Sequence, residues 1–278
     1  KKFDLNWKDP KRVGSTAFFS PDGKYLITSS FESNELNYII RRFPLDVWDT
    51  KTGNRINTID IGSNELKDIS WDNNKILSFQ NSKITITDLK TGKEIASFIA
   101  MDNDDYIFVL PAGEYMGTPG AVKYLSWRLD NKLYDFEQWD LQYNRPDKVL
   151  KQLGNKDTAL ISMYRKAYLK RLKRAGFSEN MFSSEMHTPE VKIMNPEDFA
   201  VSVSDPQKVL KVNLTDSKYK LDRMNVWIND VPIYGKNGFS LRNDNTKSIE
   251  KNISVTLSAG INKIQVSGLN EKGVESLK

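Results

Sequence analysis

The feature that most constrains this chain is a repeat. Asp49-Thr50-Lys51-Thr52-Gly53 returns as Asp88-Leu89-Lys90-Thr91-Gly92, 39 residues later. Around each copy the text alternates short apolar runs with turn residues. Residues 13–56 contain "STAFFSPDGKYLITSS" and "LDVWDTKTGNRI", and residues 57–100 contain "LKDISWDNNKILSFQNSKITITDLKTGKEI". A period of about 40 residues with strand–turn–strand content marks an array in which each unit is one small sheet. Phe18, the turn Ser20-Pro21-Asp22-Gly23 and Tyr25-Leu26-Ile27 predict a hairpin, because Asp-Gly supplies the positive φ that its turn requires. Val47-Trp48-Asp49 is the third predicted strand, and Lys51-Thr52-Gly53-Asn54 turns the chain into a fourth, Arg55 to Ile59. The second block repeats the scheme through Ile69, Asp72-Asn73-Asn74-Lys75, Ile76-Leu77-Ser78 and Ile84-Thr85-Ile86-Thr87-Asp88.

These blocks resemble the WD-repeat family. Trp48-Asp49 matches its namesake dipeptide, and Thr87-Asp88 departs from it by replacing Trp. The resemblance implies a β-propeller, with each block a blade. An insertion around Phe31–Phe43 belongs to a blade edge, where binding loops are often found. Tyr106–Leu110, Pro111-Ala112-Gly113 and Glu114-Tyr115-Met116 predict a third, partial repeat. Two and a half blades cannot close a ring, which takes about 4–8. The expectation is therefore the last two to three blades of a larger propeller, spanning residues 1–127, in a chain that is a fragment of its parent.

Residues 128–188 read as a helical connector. The stretch from Tyr115 to Leu153 is dense in aromatics (Tyr124, Trp127, Tyr134, Phe136, Trp139, Tyr143), which suits a packed junction between the blades and the C-terminal half of the chain. Asn144-Arg145-Pro146-Asp147 starts a short helix that Gly154 ends. A longer helix is predicted over 157–175, capped by Asp157 and stopped by Gly176. Leu160, Tyr164, Ala167, Tyr168, Leu172 and Ala175 recur at helical spacing on one side. Arg165, Lys166, Lys170, Arg171, Lys173 and Arg174 crowd the remainder and are the candidate partner-binding residues. Such a face suits nucleic acid or anionic lipid in principle. The aromatic residues on the apolar side suit a protein interface better than base stacking, so nucleic acid is disfavoured. The plainer expectation is a helix packed on its neighbours with a solvated basic face.

Beyond a Ser-rich linker, Phe177 to Thr188, residues 189–278 predict several short strands. Val209–Leu214, Met224–Ile228, Val231–Tyr234, an alternating run Ile249 to Leu257, and Ile264–Val266 are the clearest. Asn229-Asp230 is a two-residue turn, Pro232 marks an edge strand, and Lys272-Gly273 forms a last turn. The expectation is an immunoglobulin-like β-sandwich. The fold class as a whole is mainly β, with partial propeller, α-helical connector and C-terminal sandwich in that order.

The order of these parts, with the junction "QWDLQYNRPDKVLKQLG" and the segment "NVWINDVPIYG" (Asn225 to Gly235), resembles the central region of bacterial WD-repeat proteins of the Bacteroidetes type. Those proteins carry a caspase-like peptidase domain at the C-terminus. The resemblance spans residues 13–278. It implies a non-catalytic region that recognises a partner and positions the peptidase, with the remaining blades and the caspase-like domain among its partners. In that group the peptidase begins just after text like "NEKGVESLK". The Lys at each end also suits a processing product of a Lys- or Arg-specific peptidase, and trimming by a trypsin-like protease explains the same ends. The alternative is a stand-alone scaffold or binding component of a bacterial envelope complex.

Composition narrows the chemistry. Of 278 residues none is Cys and one is His, which removes disulfides, thiolate nucleophiles and Cys-based metal sites. No cofactor and no catalytic residue is expected. His187 reads as a solvated linker residue, since nothing near it in sequence suggests a nucleophile. The "DNDD" cluster of Asp102, Asp104 and Asp105 lacks the Gly and Glu that complete a calcium loop, and reads as a solvated turn. The net charge of +5 permits an acidic partner without demanding one. No apolar run reaches the length of a membrane span, no signal peptide is evident, and the compartment stays open between cytoplasm and periplasm.

Overall fold

The computed structural model describes residues 12–36, 38–129, 131–183, 185, 187–199 and 205–277. The fold is mainly β. The chain forms two compact units. One takes the chain up to Ala121 together with Pro146–Ile161; the other takes Val122–Arg145 and Ser162 onward.

In the first unit, β1 (Arg12–Phe19), β2 (Tyr25–Ser33), β3 (Ile39–Arg42), β4 (Leu45–Asp49) and β5 (Arg55–Ile59) make one antiparallel sheet in the order β1-β2-β4-β5. β3 pairs only with the end of β2, so the predicted insertion is a β-ribbon folded out from one hairpin. The paired residues Thr28 and Asp46 lie 18 positions apart, whereas Ser78 and Thr85 in the second sheet lie 7 apart, so the ribbon adds 11 residues. That second sheet contains β6 (Glu65–Ser70), β7 (Lys75–Gln80), β8 (Lys83–Asp88), β9 (Glu94–Ala100), β10 (Tyr106–Val109) and β11 (Tyr115–Gly117), paired in sequence order. The third partial repeat therefore needs correction: β10 and β11 widen the second sheet instead of opening another. The loop before β10 is the cause. The backbone N–H of Met101 donates to the Asp105 carbonyl at 2.8 Å, and Asn103 and Asp104 take positive φ. So tight a turn obliges the next strand to pair with the last.

The repeated loops are alike atom by atom. Asp49 Oδ1 accepts from the backbone N–H of Lys51 (3.0 Å) and Thr52 (2.7 Å) and from the Thr52 hydroxyl (2.9 Å). Asp88 Oδ1 accepts from Lys90, Thr91 and the Thr91 hydroxyl at the same three distances. Gly53 and Gly92 close the two loops at φ 73° and 68°. Even the register shifts coincide, at Val47/Trp48 and Ile86/Thr87. Where Trp48 donates its indole N–H to the Thr28 hydroxyl at 2.9 Å, Thr87 stands in the second copy.

Three helices come next: α1 (Asp140–Tyr143), α2 (Pro146–Gln152) and α3 (Thr158–Ala175). The first unit has two apolar layers. Ile27, Leu45, Val47 and Ile59 of the first sheet meet Leu66, Ile69 and Ile76 of the second. On the far side, Ile86, Ile95, Ala96 and Leu110 receive Val149 of α2. Pro146 takes the first helical position, as its missing N–H allows, and Lys148 reaches Glu114 at 2.5 Å.

The second unit begins with the hairpin β12 (Ser126–Leu129) and β13 (Lys132–Asp135). Trp127 stacks on Phe136 at 4.9 Å, and Trp139 and Tyr143 close around it. Most of the predicted junction aromatics thus pack on one another inside this unit, while Tyr124 is exposed. Further along come β14 (Glu190–Ile193), β15 (Gln207–Thr215), β16 (Leu221–Ile228), β17 (Val231–Pro232), β18 (Phe239–Ser240), β19 (Ser248–Thr256) and β20 (Ile264–Asn270). They form two antiparallel sheets, β14-β15-β19 and a second in which β16 pairs with β20 on one side and with β17 and β18 on the other. Alternate residues point inward: Leu210, Val212, Leu214, Ile253 and Val255 from one sheet meet Met224, Val226, Ile228 and Val266 from the other. Asn229 and Asp230 take φ 52° and 65°, the pair of positive values a two-residue hairpin turn needs. β17 with Pro232 is an edge.

Candidate functional site

α3 is capped at both ends. The Leu160 N–H donates to Asp157 Oδ1 at 2.9 Å, as an N-cap should. At the other end the N–H of Gly176, at φ 75°, donates to Lys173 O and that of Phe177 to Leu172 O. This pairing satisfies two carbonyls that a helix end otherwise leaves open. Phe177 is buried with Tyr168, Leu172 and Leu269, so the start of the predicted linker is docked onto the unit.

The inward line of α3 follows the predicted one at Leu160, Tyr164, Tyr168, Leu172 and Ala175 and departs from it at Ala167. Tyr168 and Leu172 are buried, but Ala167 is exposed, and Arg165 and Arg171 are only partly accessible. Their partners explain this. Arg165 forms a two-pronged pair with Glu179, one prong at 2.6 Å. Arg171 reaches Asp140 Oδ2 at 3.0 Å and the carbonyls of Asp140 and Asn144. Arg145, itself buried, joins Glu179 at 3.0 Å and lies 4.1 Å over the Tyr168 ring. Burial pushes the Tyr168 hydroxyl above its ordinary pKa, against the pull of Arg145, so the ring stays neutral under its guanidinium.

Of the six candidate residues, then, Arg165 and Arg171 are internal braces. Lys166, Lys170, Lys173 and Arg174 remain exposed, with no ion-pair partner among the described residues. Two clefts flank the helix end. One, of about 460 Å³, is lined by Ala167, Lys170, Arg174, Arg223, Lys236 and Asn237 among others. The other, of about 240 Å³, lies beside Lys173, Gly176, Asp222 and Arg242.

Residues distant in sequence build the floor of these clefts. Asp222, 3% exposed, accepts from Arg223 Nε at 2.6 Å and Arg242 Nε at 2.5 Å. Arg223 also donates to the Ala175 carbonyl, and Arg242 to the Gly176 carbonyl at 3.0 Å. The negative end of the helix is thereby covered by guanidinium groups. Sequence reasoning missed Arg145, Asp222, Arg223, Lys236 and Arg242. One signal was available: Asp222-Arg223 puts two charges into a strand that has no other, and charges in such a place have to be paired.

His187 is also a correction. It is not a solvated linker residue: its Nε2 lies 3.0 Å from Oδ1 of the buried Asp216, and its carbonyl accepts from Asn270 at 3.2 Å. Asn270 in turn donates to Asp216 Oδ2 at 3.0 Å. Ser217 Oγ stands 3.4 Å from that same Nε2. An acid–histidine–nucleophile relay uses the two ring nitrogens separately, and here acid and hydroxyl compete for one. The arrangement ties the segment down without building a nucleophile. The "DNDD" carboxylates sit on the β9–β10 turn, with Asp105 against Gly120. Among the described residues no three ligating side chains gather for a metal, and no helix is long and apolar enough to cross a membrane.

A third depression, of about 690 Å³, lies in the first unit beside the inserted ribbon, lined by Ile39, Arg41, Arg42, Asp60, Glu65 and Phe79. Its charges are of both signs, and Arg42 helps hold Glu65 below its ordinary pKa after the hydrogen bond from Lys67. No protein-family model matches this chain, and no curated protein matches it either.

Proposed function

We propose that the chain is a non-catalytic protein-interaction and positioning region of a larger protein. The observation that carries this reading is the row Lys166, Lys170, Lys173 and Arg174. These cations are exposed on a helix whose inward charges are paired and whose ends are capped. Unspent charge of one sign on a rigid element attracts and orients an oppositely charged partner.

The finer architecture belongs to the same proposal. The 39-residue period, the matched loops and the face-to-face sheets support a WD-repeat propeller. The six-stranded second sheet suits a terminal repeat, which is commonly atypical. Two antiparallel sheets around one core, with a short edge strand, support an immunoglobulin-like sandwich. By resemblance, the parent is a caspase-like peptidase whose His–Cys pair lies outside this sequence. The alternative is a stand-alone scaffold of a bacterial complex.

The test starts from the reading frame beyond Lys278. A His–Cys domain there, with peptidase activity or partner retention altered in full-length protein carrying Lys166→Glu and Lys173→Glu, supports the proposal. A stop codon at that point rejects the peptidase and leaves the scaffold. Unchanged activity together with unchanged co-purifying proteins overturns the interaction reading.

A further inference from the structure

The larger cleft at the end of α3 has a property that the helix alone does not confer. A helix C-terminus ordinarily repels anions, because its last carbonyls are open. Here the carbonyls of Leu172 and Lys173 accept from Phe177 and Gly176, and those of Ala175 and Gly176 accept from Arg223 and Arg242. An anion entering the cleft meets side-chain cations and capped backbone.

The nearby acids are already engaged. Asp222 is shared by Arg223 and Arg242, Glu179 by Arg145 and Arg165, and Asp140 by Arg171. Lys170 and Arg174 from α3 and Lys236 from the turn after β17 line one cleft, and among the described residues no acid lies in its lining to answer them. Lys166, Lys170 and Arg174 also stand four residues apart in succession, so they repel one another along the helix. The cluster fits an external anion better than it fits the isolated fold.

The size suits a short segment of chain. The cleft is open and offers about 460 Å³, room for several acidic side chains of one segment but far less than the footprint of a bilayer. Its lining includes no aromatic ring, so it offers nothing for a base to stack on. The turn that delivers Lys236 and Asn237 also exposes the Tyr234–Phe239 ring pair, whose tilt of 54° makes an apolar step and no flat platform.

We propose that this cleft binds an acidic segment of a protein partner, whose carboxylates seat on Lys170, Arg174 and Lys236. The proposal rests on the interaction reading above and gives it a location and a partner chemistry.

The experiment uses the whole chain and a fluorescein-labelled peptide of alternating Glu and Ser, monitored by fluorescence anisotropy. The same peptide with Gln for Glu, phosphatidylserine vesicles and a short single-stranded oligonucleotide are run beside it. Saturable binding of the Glu peptide is expected, weakening as salt rises. The double variant Lys170→Glu with Lys236→Glu should weaken it by at least about tenfold. Lys192→Glu, outside the cleft, should leave it unchanged, and thermal unfolding should show all variants folded. Equal binding of the Gln peptide, tighter binding of vesicles or oligonucleotide, or indifference to the double variant would each overturn the proposal. Failure here is separable from failure of the broader reading. Loss of peptide binding with partner retention intact refutes the cleft alone, whereas peptide binding without any partner or peptidase refutes only the broader reading.

Discussion

Asp22, Asp49 and Asp88 do the same job in three turns. Each folds its carboxylate back onto the backbone two or three residues on, which fixes the turn without burying it. The Ser20 hydroxyl, then the Lys24 backbone and ammonium, hold Asp22 at a pKa of about 2. In Asp49 and Asp88 the Thr52 and Thr91 N–H groups lead the same downward shift. A carboxyl whose folded pKa is depressed adds stability above its ordinary value of about 3.9 and loses it as the pH falls through the folded one. Asp22→Asn should therefore flatten the fall in melting temperature between about pH 4 and 2, measured by circular dichroism across that range. Lys170 makes the opposite case. Placed four residues from both Lys166 and Arg174, it is repelled from either side, so Lys170→Gln should raise the melting temperature by roughly 1–2 °C. A fall would mean that the lysine makes a stabilising contact. Turn residues of the Asp49 kind were legible in the sequence because their bonds are local. The partners of Arg165 and Arg171 were not, since Glu179 and Asp140 approach only after the chain has folded.

Helix α3 shows the same divide between local and distant causes. Its limits were readable from Asp157 and Gly176, since a cap and a left-handed stop act within one turn. Asp157→Ala should cost about 1 kcal/mol, and Gly176→Ala more than about 1 kcal/mol, both read from urea unfolding. At Gly176 the added Cβ would also meet the Arg242 guanidinium at 2.8 Å. Five of the six inward positions follow the helical spacing, but that spacing leaves out Arg165 and Arg171, which count as polar in any periodicity argument and yet are drawn in by acids. Ala167 shows the converse: its spacing and its methyl group both point inward, yet it is exposed. The strand β16 carries the missing half of the site. Asp222→Asn leaves two guanidinium groups sharing a neutral amide, and should cost about 3 kcal/mol. The same substitution should loosen the end of α3, visible as faster amide hydrogen exchange at Gly176 and Phe177. Unaltered exchange there would show that the helix is held by its apolar contacts alone.

Each of the two units has its own core, and this separates their responses to mutation. Ile76→Ala removes a fully buried side chain between the first two sheets, and Leu214→Ala removes one between the sheets of the second unit. Each should cost about 2–5 kcal/mol, and hydrogen exchange should report the loss chiefly in the unit that carries the change. Equal loss in both would mean that the units unfold together. The mainly β character, the repeat and the strands of the last third were legible because alternation and turn residues specify them directly. The width of the second sheet was not. Whether β10 starts a sheet or extends one depends on the five residues Met101–Asp105: Asn103-Asp104 is the same pair that marks the turn at 229–230, and takes the same positive φ, but a turn signal does not say whether the strand after it joins the old sheet or opens another. The docking of His187 was hidden for a related reason, its partners lying at positions 216 and 270.

The matching loops at Asp49 and Asp88 also bear on inheritance. A gene segment encoding the 39 residues from one loop to the equivalent point of the next begins and ends in the same backbone geometry. Unequal recombination between two such segments deletes or duplicates one whole sheet and rejoins the chain inside a turn that is already formed. Lineages carrying this sequence should therefore vary in multiples of one repeat at this junction, while the ribbon at β3, which has no counterpart in the second copy, varies residue by residue.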